Sequence, residues 1–252
     1  MRQIDAYITE KLKLNKDSSI KYNYYPKDKG ELQSIIKKLI EERGPDADLN
    51  DIDVSKITDM SDLFYKINIR NIDISEWNVS NVGNMEAMFI ESDRFNSDLS
   101  EWDVSNVKNM SFMFYECGFF NSDLSKWNVS NATNMRSMFY SCYRFNSDLS
   151  KWDVSNVEKM SNMFENCGKF NSDLSKWNVG KARNMTNMFR FCKSFNSDLS
   201  KWDVSNVIIM SEMFYKCINF NCDLSKWDIS NVKNKFDMFA YCESLTKKPD
   251  WY

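Results

Sequence analysis

Trp102-Asp-Val-Ser-Asn-Val-Lys-Asn-Met-Ser-Phe-Met-Phe-Tyr-Glu-Cys-Gly-Phe-Phe-Asn-Ser-Asp-Leu-Ser-Lys126 is a 25-residue stretch that returns, with small changes, along most of the chain. Tryptophan marks each return, at Trp77, Trp102, Trp127, Trp152, Trp177, Trp202 and Trp227. Met113-Phe114 returns as Met138-Phe139, Met163-Phe164, Met188-Phe189 and Met213-Phe214. Periods of roughly 20–50 residues belong to solenoids, propellers and arrays rather than to pocketed domains. The pattern therefore points to an extended surface and away from catalysis.

Within the unit, Leu99-x-x-Trp102-x-Val104 has the spacing of a short strand, with Trp102 and Val104 on one face and Asp103 on the other. Met110, Met113, Phe114 and Cys117 then follow at i, i+3, i+4 and i+7, which is one face of a short helix. Phe120 and Asn121 turn the chain back. The expectation is an α/β repeat in which short parallel strands and short helices alternate.

Stacking of such repeats would align like residues in columns. Asn96 to Asn221 and Ser100 to Ser225 should bond loop backbone groups between neighbours. Cys117, Cys142, Cys167, Cys192, Cys217 and Cys242 replace Ser92 and Ile67 of earlier repeats, so the slot reads as small, reduced and buried. Cys222 falls off this lattice and is read as incidental. Tryptophan alternates with Ile52 and is expected inside, and the methionines read as core filler. Asp98, Asp123, Asp148, Asp173, Asp198 and Asp223 should accept backbone N–H bonds rather than hold calcium, since no glycine-rich loop or second carboxylate set accompanies them.

The 252 residues carry a formal charge of −3, with no concentrated basic patch to displace counterions from a nucleic acid, so nucleic-acid binding is not expected. Histidine is absent, which removes the commonest general base and the histidine-containing zinc sites. No catalytic residue, cofactor or metal site is expected. No apolar run is long enough to span a bilayer. Met1 to Asp17 lack the apolar stretch of a signal peptide, so the expected location is cytoplasmic, or the cell surface if a leader is missing.

Leu32, Ile35, Ile36, Leu39 and Ile40 form a helical stripe between an Asp28/Glu31 capping pair and a Gly44-Pro45 stop. A repeat stack exposes raw core at its ends and needs a polar-backed cap. Residues 1–47 are therefore expected to form an amino-terminal helical cap, with a short β element around Ile20 to Tyr25, and residues 48–252 about eight repeats. The first repeat already departs from the pattern, with Arg70 in a phenylalanine slot.

The repeats differ mainly on the expected outer side of the helix and in the loop after it. Aromatics and arginines, which are enriched at protein interfaces, gather there: Phe112, Tyr115, Phe119, Tyr140, Tyr143, Arg144, Arg190, Phe191, Tyr215 and Tyr241. These ten are the candidate partner-binding residues.

The motif Phe-Asn-Ser-Asp-Leu-Ser-Lys-Trp-Asp-Val-Ser-Asn-Val-x-x-Met-x-x-Met-Phe-x-x-Cys resembles the BspA-like leucine-rich repeat family over about residues 48–246. That resemblance implies a leucine-rich-repeat-like right-handed solenoid. It also implies a non-enzymatic protein, since many relatives are surface adhesins or binding proteins. The functional expectation is a scaffold for protein–protein interaction with an unknown protein partner. The alternative is a surface adhesin that binds a host protein or a carbohydrate through exposed aromatics.

Overall fold

The computed structural model describes residues 22–252. Ile20 and the segment Met1 to Asp17 lie outside the described residues.

The single helix among the described residues is α1, Lys29–Arg43. Asp28 caps it by accepting Glu31 N–H at 2.9 Å, and Glu31 Oε2 reaches back to Lys27 N–H at 2.9 Å. This is a capping box shifted by one residue. Gly44, at φ 87°, ends the helix in a backbone conformation that costs glycine little, and its N–H bonds Ile40 O. Leu32, Ile36 and Leu39 bury one stripe of α1 against the first repeat. The expected β element is represented by a single parallel bridge, Tyr24 to Ile52.

The expected α/β repeat, a leucine-rich-repeat-like right-handed solenoid of short strands and short helices, does not form. The described residues contain one helix and no extended strand, and the contacts between repeats are isolated parallel bridges. Each repeat is instead a coil of consecutive tight turns. Trp102 N–H closes onto Leu99 O, Val107 onto Val104, Met113 onto Met110, Cys117 onto Phe114 and Phe120 onto Cys117. The partners in each turn are the buried apolar residues themselves. Apolar residues therefore recur three apart without being helical.

Two features divert Met110–Cys117 from helix. Phe112 and Glu116 each have φ 58° at the third position of a turn, where a type II turn requires positive φ. The same two slots are left-handed in every coil from Asp62 and Lys66 to Asp237 and Tyr241. Left-handed backbone costs a non-glycine residue roughly 1–2 kcal/mol. The return is a second set of hydrogen bonds. N–H groups of Met110, Phe112, Phe114 and Glu116 donate to Asn134, Arg136, Met138 and Tyr140 of the next coil at 2.8–2.9 Å. Those of Met113, Tyr115 and Cys117 close local turns at 3.0–3.3 Å. A continuous helix would use all of them internally and leave neighbouring coils unjoined.

The columns stack as the register demands. Trp127 and Trp152 lie 6.4 Å apart and 2° from parallel, and Phe114 and Phe139 lie 5.6 Å apart. The tryptophans from Trp77 to Trp227 are buried. Each indole donates Nε1–H to a backbone carbonyl of the preceding coil, as Trp152 does to Leu124 O at 3.0 Å. Trp251 extends this column off the 25-residue beat, bonding Leu224 O at 3.0 Å. Cys117 to Cys217 are buried free thiols, each bonding a phenylalanine carbonyl, as Cys167 Sγ does Phe139 O at 2.9 Å.

Two expectations about polar columns need correction. The Ser100 column does not bridge coils; Ser100 N–H bonds Asp98 Oδ1 at 2.9 Å within its own loop. The bridging hydroxyls are Ser122, Ser147, Ser172 and Ser197, which accept N–H of Leu99, Leu124, Leu149 and Leu174. Cys222 is not incidental either. It occupies the next position of that column and accepts Leu199 N–H at 3.2 Å.

Candidate functional site

The coil geometry sorts residues by slot. Residues whose backbone groups close the turns, such as Met110, Met113, Phe114 and Cys117, point inward and repeat; the central residues of those turns vary. One outward slot runs Tyr65, Ile90, Tyr115, Tyr140, Glu165, Arg190, Tyr215, Ala240. Adjacent to it runs Lys66, Glu91, Glu116, Ser141, Asn166, Phe191, Lys216, Tyr241. The second set sits on left-handed corners, not on the outer face of a helix.

Contacts gather the ten sequence-selected residues into three groups. In the first, Phe112 meets Tyr115 at 5.9 Å and Tyr115 stacks on Tyr140 at 4.5 Å, 7° from parallel. Arg136 lies 5.5 Å over the Phe112 ring. Burial pushes the Tyr115 phenol up to about 12, with Glu116 and Tyr140 adding to the effect. Tyr140 is also raised, by burial first and then by Glu165. Both phenols remain neutral donors at physiological pH.

The second group centres on Arg190, whose guanidinium lies 4.2 Å from the Phe191 ring and 5.0 Å from Tyr215. Tyr215 in turn meets Tyr241 edge-on at 5.3 Å. Arg190 bonds Glu165 Oε1 at 2.9 Å and Glu212 Oε2 at 2.7 Å. Its burial disfavours the charge, but the two carboxylates outweigh that and raise its pKa. The guanidinium is thus fixed on both edges while its face stays on aromatic rings.

The third group lies in the following loop. Arg144 sits 4.0 Å over the Phe119 ring. Tyr143 is exposed and packs against Gly118, where an added Cβ would lie 3.0 Å from its Cδ2 and 2.5 Å from Asp93 Oδ1. Only glycine allows that approach without displacing the neighbours.

Glu165, Glu212 and Lys216 complete the surface but escape a search for aromatics and arginines. Lys216 reaches three rings, 5.5 Å from Phe191, 5.6 Å from Tyr215 and 5.3 Å from Tyr241. The signal for Glu165 was available, because it shares a slot with Tyr140 and Arg190. It carries a buried carboxylate, held also by Asn162 Nδ2 at 2.6 Å.

The aspartate column accepts backbone N–H bonds. Asp148 Oδ1 takes Ser150 N–H at 2.9 Å, and that bond, aided by the serine hydroxyl, holds its carboxyl below the usual range. Among the described residues, no three His, Cys, Asp or Glu side chains converge to hold a metal ion. No helix among them is long and apolar enough to cross a membrane.

A stack of tandem coils with an outward column of mixed aromatic and charged residues defines a tandem-repeat protein. The family model described as "Mycoplasma protein of unknown function, DUF285" matches residues 35–152 and again 133–251, and the chain belongs to that family. The double match places its tandem copies where the coils stack. No curated protein matches the chain.

Proposed function

We propose that the chain is a non-enzymatic protein-interaction module whose contact surface is the outward column Tyr115, Tyr140, Glu165, Arg190 and Tyr215. One observation carries this reading. Slots that face inward keep their identity from coil to coil, while this outward slot changes from tyrosine to glutamate to arginine. Its side chains are nevertheless held in place by stacking and ion pairs. Tyrosine and arginine dominate binding hot spots, and side chains already fixed lose less entropy on association. Repetition supplies the scaffold, and variation at fixed positions supplies specificity.

A carbohydrate-binding adhesin is the second reading. It is favoured by the 43% exposure of Phe119 and 51% exposure of Tyr143, which present aromatic surface to solvent.

The test compares wild type with a Tyr140→Ala/Tyr215→Ala variant and a Phe119→Ala/Tyr143→Ala variant, each checked for an unchanged melt. Cross-linked partners should be retained by the second variant and lost from the first. Glycan-array binding abolished only in the Phe119/Tyr143 variant, with no cross-linked protein, would reverse the order of the two readings.

A further inference from the structure

Where the loops that carry Arg70, Arg94, Phe119 and Arg144 in successive coils pass one another lies an open concavity of about 410 Å³. It is lined by Arg70, Asn71, Arg94, Asn96, Phe119 and Arg144. No carboxylate lines it. A larger concavity of about 520 Å³ lies along Asn196 to Lys226, but there Asp198 and Asp223 offset Lys201 and Lys226. The arginine-lined hollow is charged one way.

Each arginine reaches the site for a different reason. Arg70 replaces the phenylalanine that fills this slot as Phe95, Phe120 and Phe145 in later coils. It pairs with Asp46, yet its Nε is a buried donor without an acceptor. A buried donor of this kind is destabilising unless something bonds it. Arg94 and Arg144 have no carboxylate within ion-pair distance among the described residues. The Arg144 guanidinium lies 4.0 Å over the Phe119 ring, and its N–H groups bond no protein acceptor among the described residues. Asn96 spends its Oδ1 on Asn121 N–H, leaving its amide NH₂ to donate. Asp93 adjoins Arg94 in sequence but does not line the hollow. After Asp46 is set against Arg70, the charges of Arg94 and Arg144 are uncompensated.

We propose that Arg70, Arg94, Arg144 and Phe119 form a binding site for a doubly charged oxyanion, a phosphate monoester on a ligand whose apolar part packs on the Phe119 ring. Guanidinium forks match tetrahedral oxyanions with paired N–H bonds, which a lone carboxylate satisfies less fully. The site does not depend on the protein-interaction reading, since any bearer of the ester would serve.

Phenyl phosphate and phenyl sulfate are the probes, titrated at constant ionic strength while arginine Nε–H signals are followed by NMR. Shifts should concentrate on Arg70, Arg94 and Arg144. An Arg94→Gln/Arg144→Gln variant should weaken phenyl phosphate at least about tenfold, equivalent to about 1.4 kcal/mol. A Lys201→Gln/Lys226→Gln control should not. Both arginines are exposed, so the fold should survive, and an unchanged melt verifies it. If the double variant is unstable, Arg94→Gln alone carries the test with a smaller loss. Inorganic phosphate should bind more weakly than phenyl phosphate, and Phe119→Ala should remove that difference. The two esters also separate by charge. A phosphate ester takes its second proton near about pH 6, so moving from about pH 7.5 to about pH 5 should weaken phenyl phosphate. The sulfate ester, a monoanion throughout, should bind more weakly than phenyl phosphate at the higher pH, and its affinity should not change between the two. Equal affinity in the double variant, or shifts spread evenly over all cationic side chains, would overturn the proposal.

Discussion

At one end of the stack a helix covers the first coil; at the other the last coil meets no such cover among the described residues. The cause is the polarity of the bonds between coils. Along the turns that carry the left-handed residues, N–H groups point towards the following coil, as Met210, Glu212, Phe214 and Lys216 do to Asn234, Phe236, Met238 and Ala240, whereas those of Gly83, Lys108 and Thr133 point back to Thr58, Gly83 and Lys108. Along those turns the first coil therefore presents orphan carbonyls and the last presents orphan N–H groups. Gln33 of α1 donates to Leu63 O at 3.2 Å in place of a preceding coil, and to Asp62 O, which also accepts Tyr65 N–H, at 3.3 Å. Lys29 adds bonds to Ser61 Oγ and Asp59. At the far end, Lys235, Asp237, Phe239 and Tyr241 N–H find no acceptor among the described residues, and Phe236 and Tyr241 are exposed. Among the described residues, Trp251, stacked on Trp227 at 6.5 Å, and Tyr252, 5.0 Å from Phe239, lean over that end. One end is closed by side chains made for its carbonyls, and the other only by packing.

The largest expected effect comes from removing residues 1–47. That deletion re-exposes the surface covered by Leu32, Ile36 and Leu39. At about 1.5–3 kcal/mol per buried aliphatic side chain, the loss is roughly 5–9 kcal/mol as an upper estimate. A large drop in melting temperature and aggregation on size exclusion should follow. A monomer with an unchanged melt would sink the account of α1 as the closing element.

Next comes a matched pair along the tryptophan column. Trp152→Ala, at the centre, should cost about 3–5 kcal/mol because it opens a cavity and removes one of the two hydrogen bonds to Leu124 O. Trp251→Ala, half-buried at the open end, should cost less than about half as much. Equal losses by chemical denaturation would mean that the ends are as tightly bound as the middle.

These columns were legible because register repeats burial. Trp102, Val107, Met110, Met113, Phe114 and Cys117 were all placed inside by spacing alone, and all are buried. Their backbone was misread, because turns whose corners are left-handed set the same residues inward as a helix would. Asp62, Asn162, Asn166, Asn187 and Asp237, at those corners, were the available warning, since Asn and Asp tolerate positive φ. Phe112, Phe191 and Tyr241 at the same corners hid it. The outward column was legible in part: Tyr115, Tyr140, Arg190 and Tyr215 were singled out, while Glu165, which bonds Arg190, was not. Its partner Arg190 lies 25 residues away, so the link shows only when repeats are aligned slot by slot.

The thiol column sharpens the contrast between centre and end. Burial raises Cys142, Cys167 and Cys217 well above their ordinary value, whereas Cys222 and Cys242 rise only to about 11. Because the folded value exceeds the unfolded one, each thiol's contribution is fully present below about pH 8.5 and is lost as pH rises through the folded value. The central thiols should each cost up to about 1.4 kcal/mol per pH unit above that point. Urea midpoints measured from neutral to alkaline pH should fall, and Cys167→Ala should flatten the slope while Cys222→Ala changes it less. In the native state, Ellman's reagent should reach Cys222 and Cys242 before any central thiol. Equal reactivity of all seven would contradict the buried ladder.

The smallest effect isolates the capping bonds themselves. Gln33→Ala leaves the apolar stripe of α1 intact but removes the two donors to Asp62 O and Leu63 O. Net hydrogen bonds contribute about 0.5–1.5 kcal/mol each, and both distances are long with Asp62 O near solvent, so a total loss of about 1 kcal/mol is expected. Hydrogen exchange should report where the loss falls. If the first coil depends on α1 for its carbonyls, amides such as Asp62 and Phe64, which bond the second coil, should exchange faster in the variant. Those near Phe214 should be unchanged. Uniform acceleration along the stack would mean that opening is global, and that Gln33 has no special relation to the end it covers. Alanine is the appropriate replacement because it retains helix propensity. Any loss then belongs to the amide and not to α1.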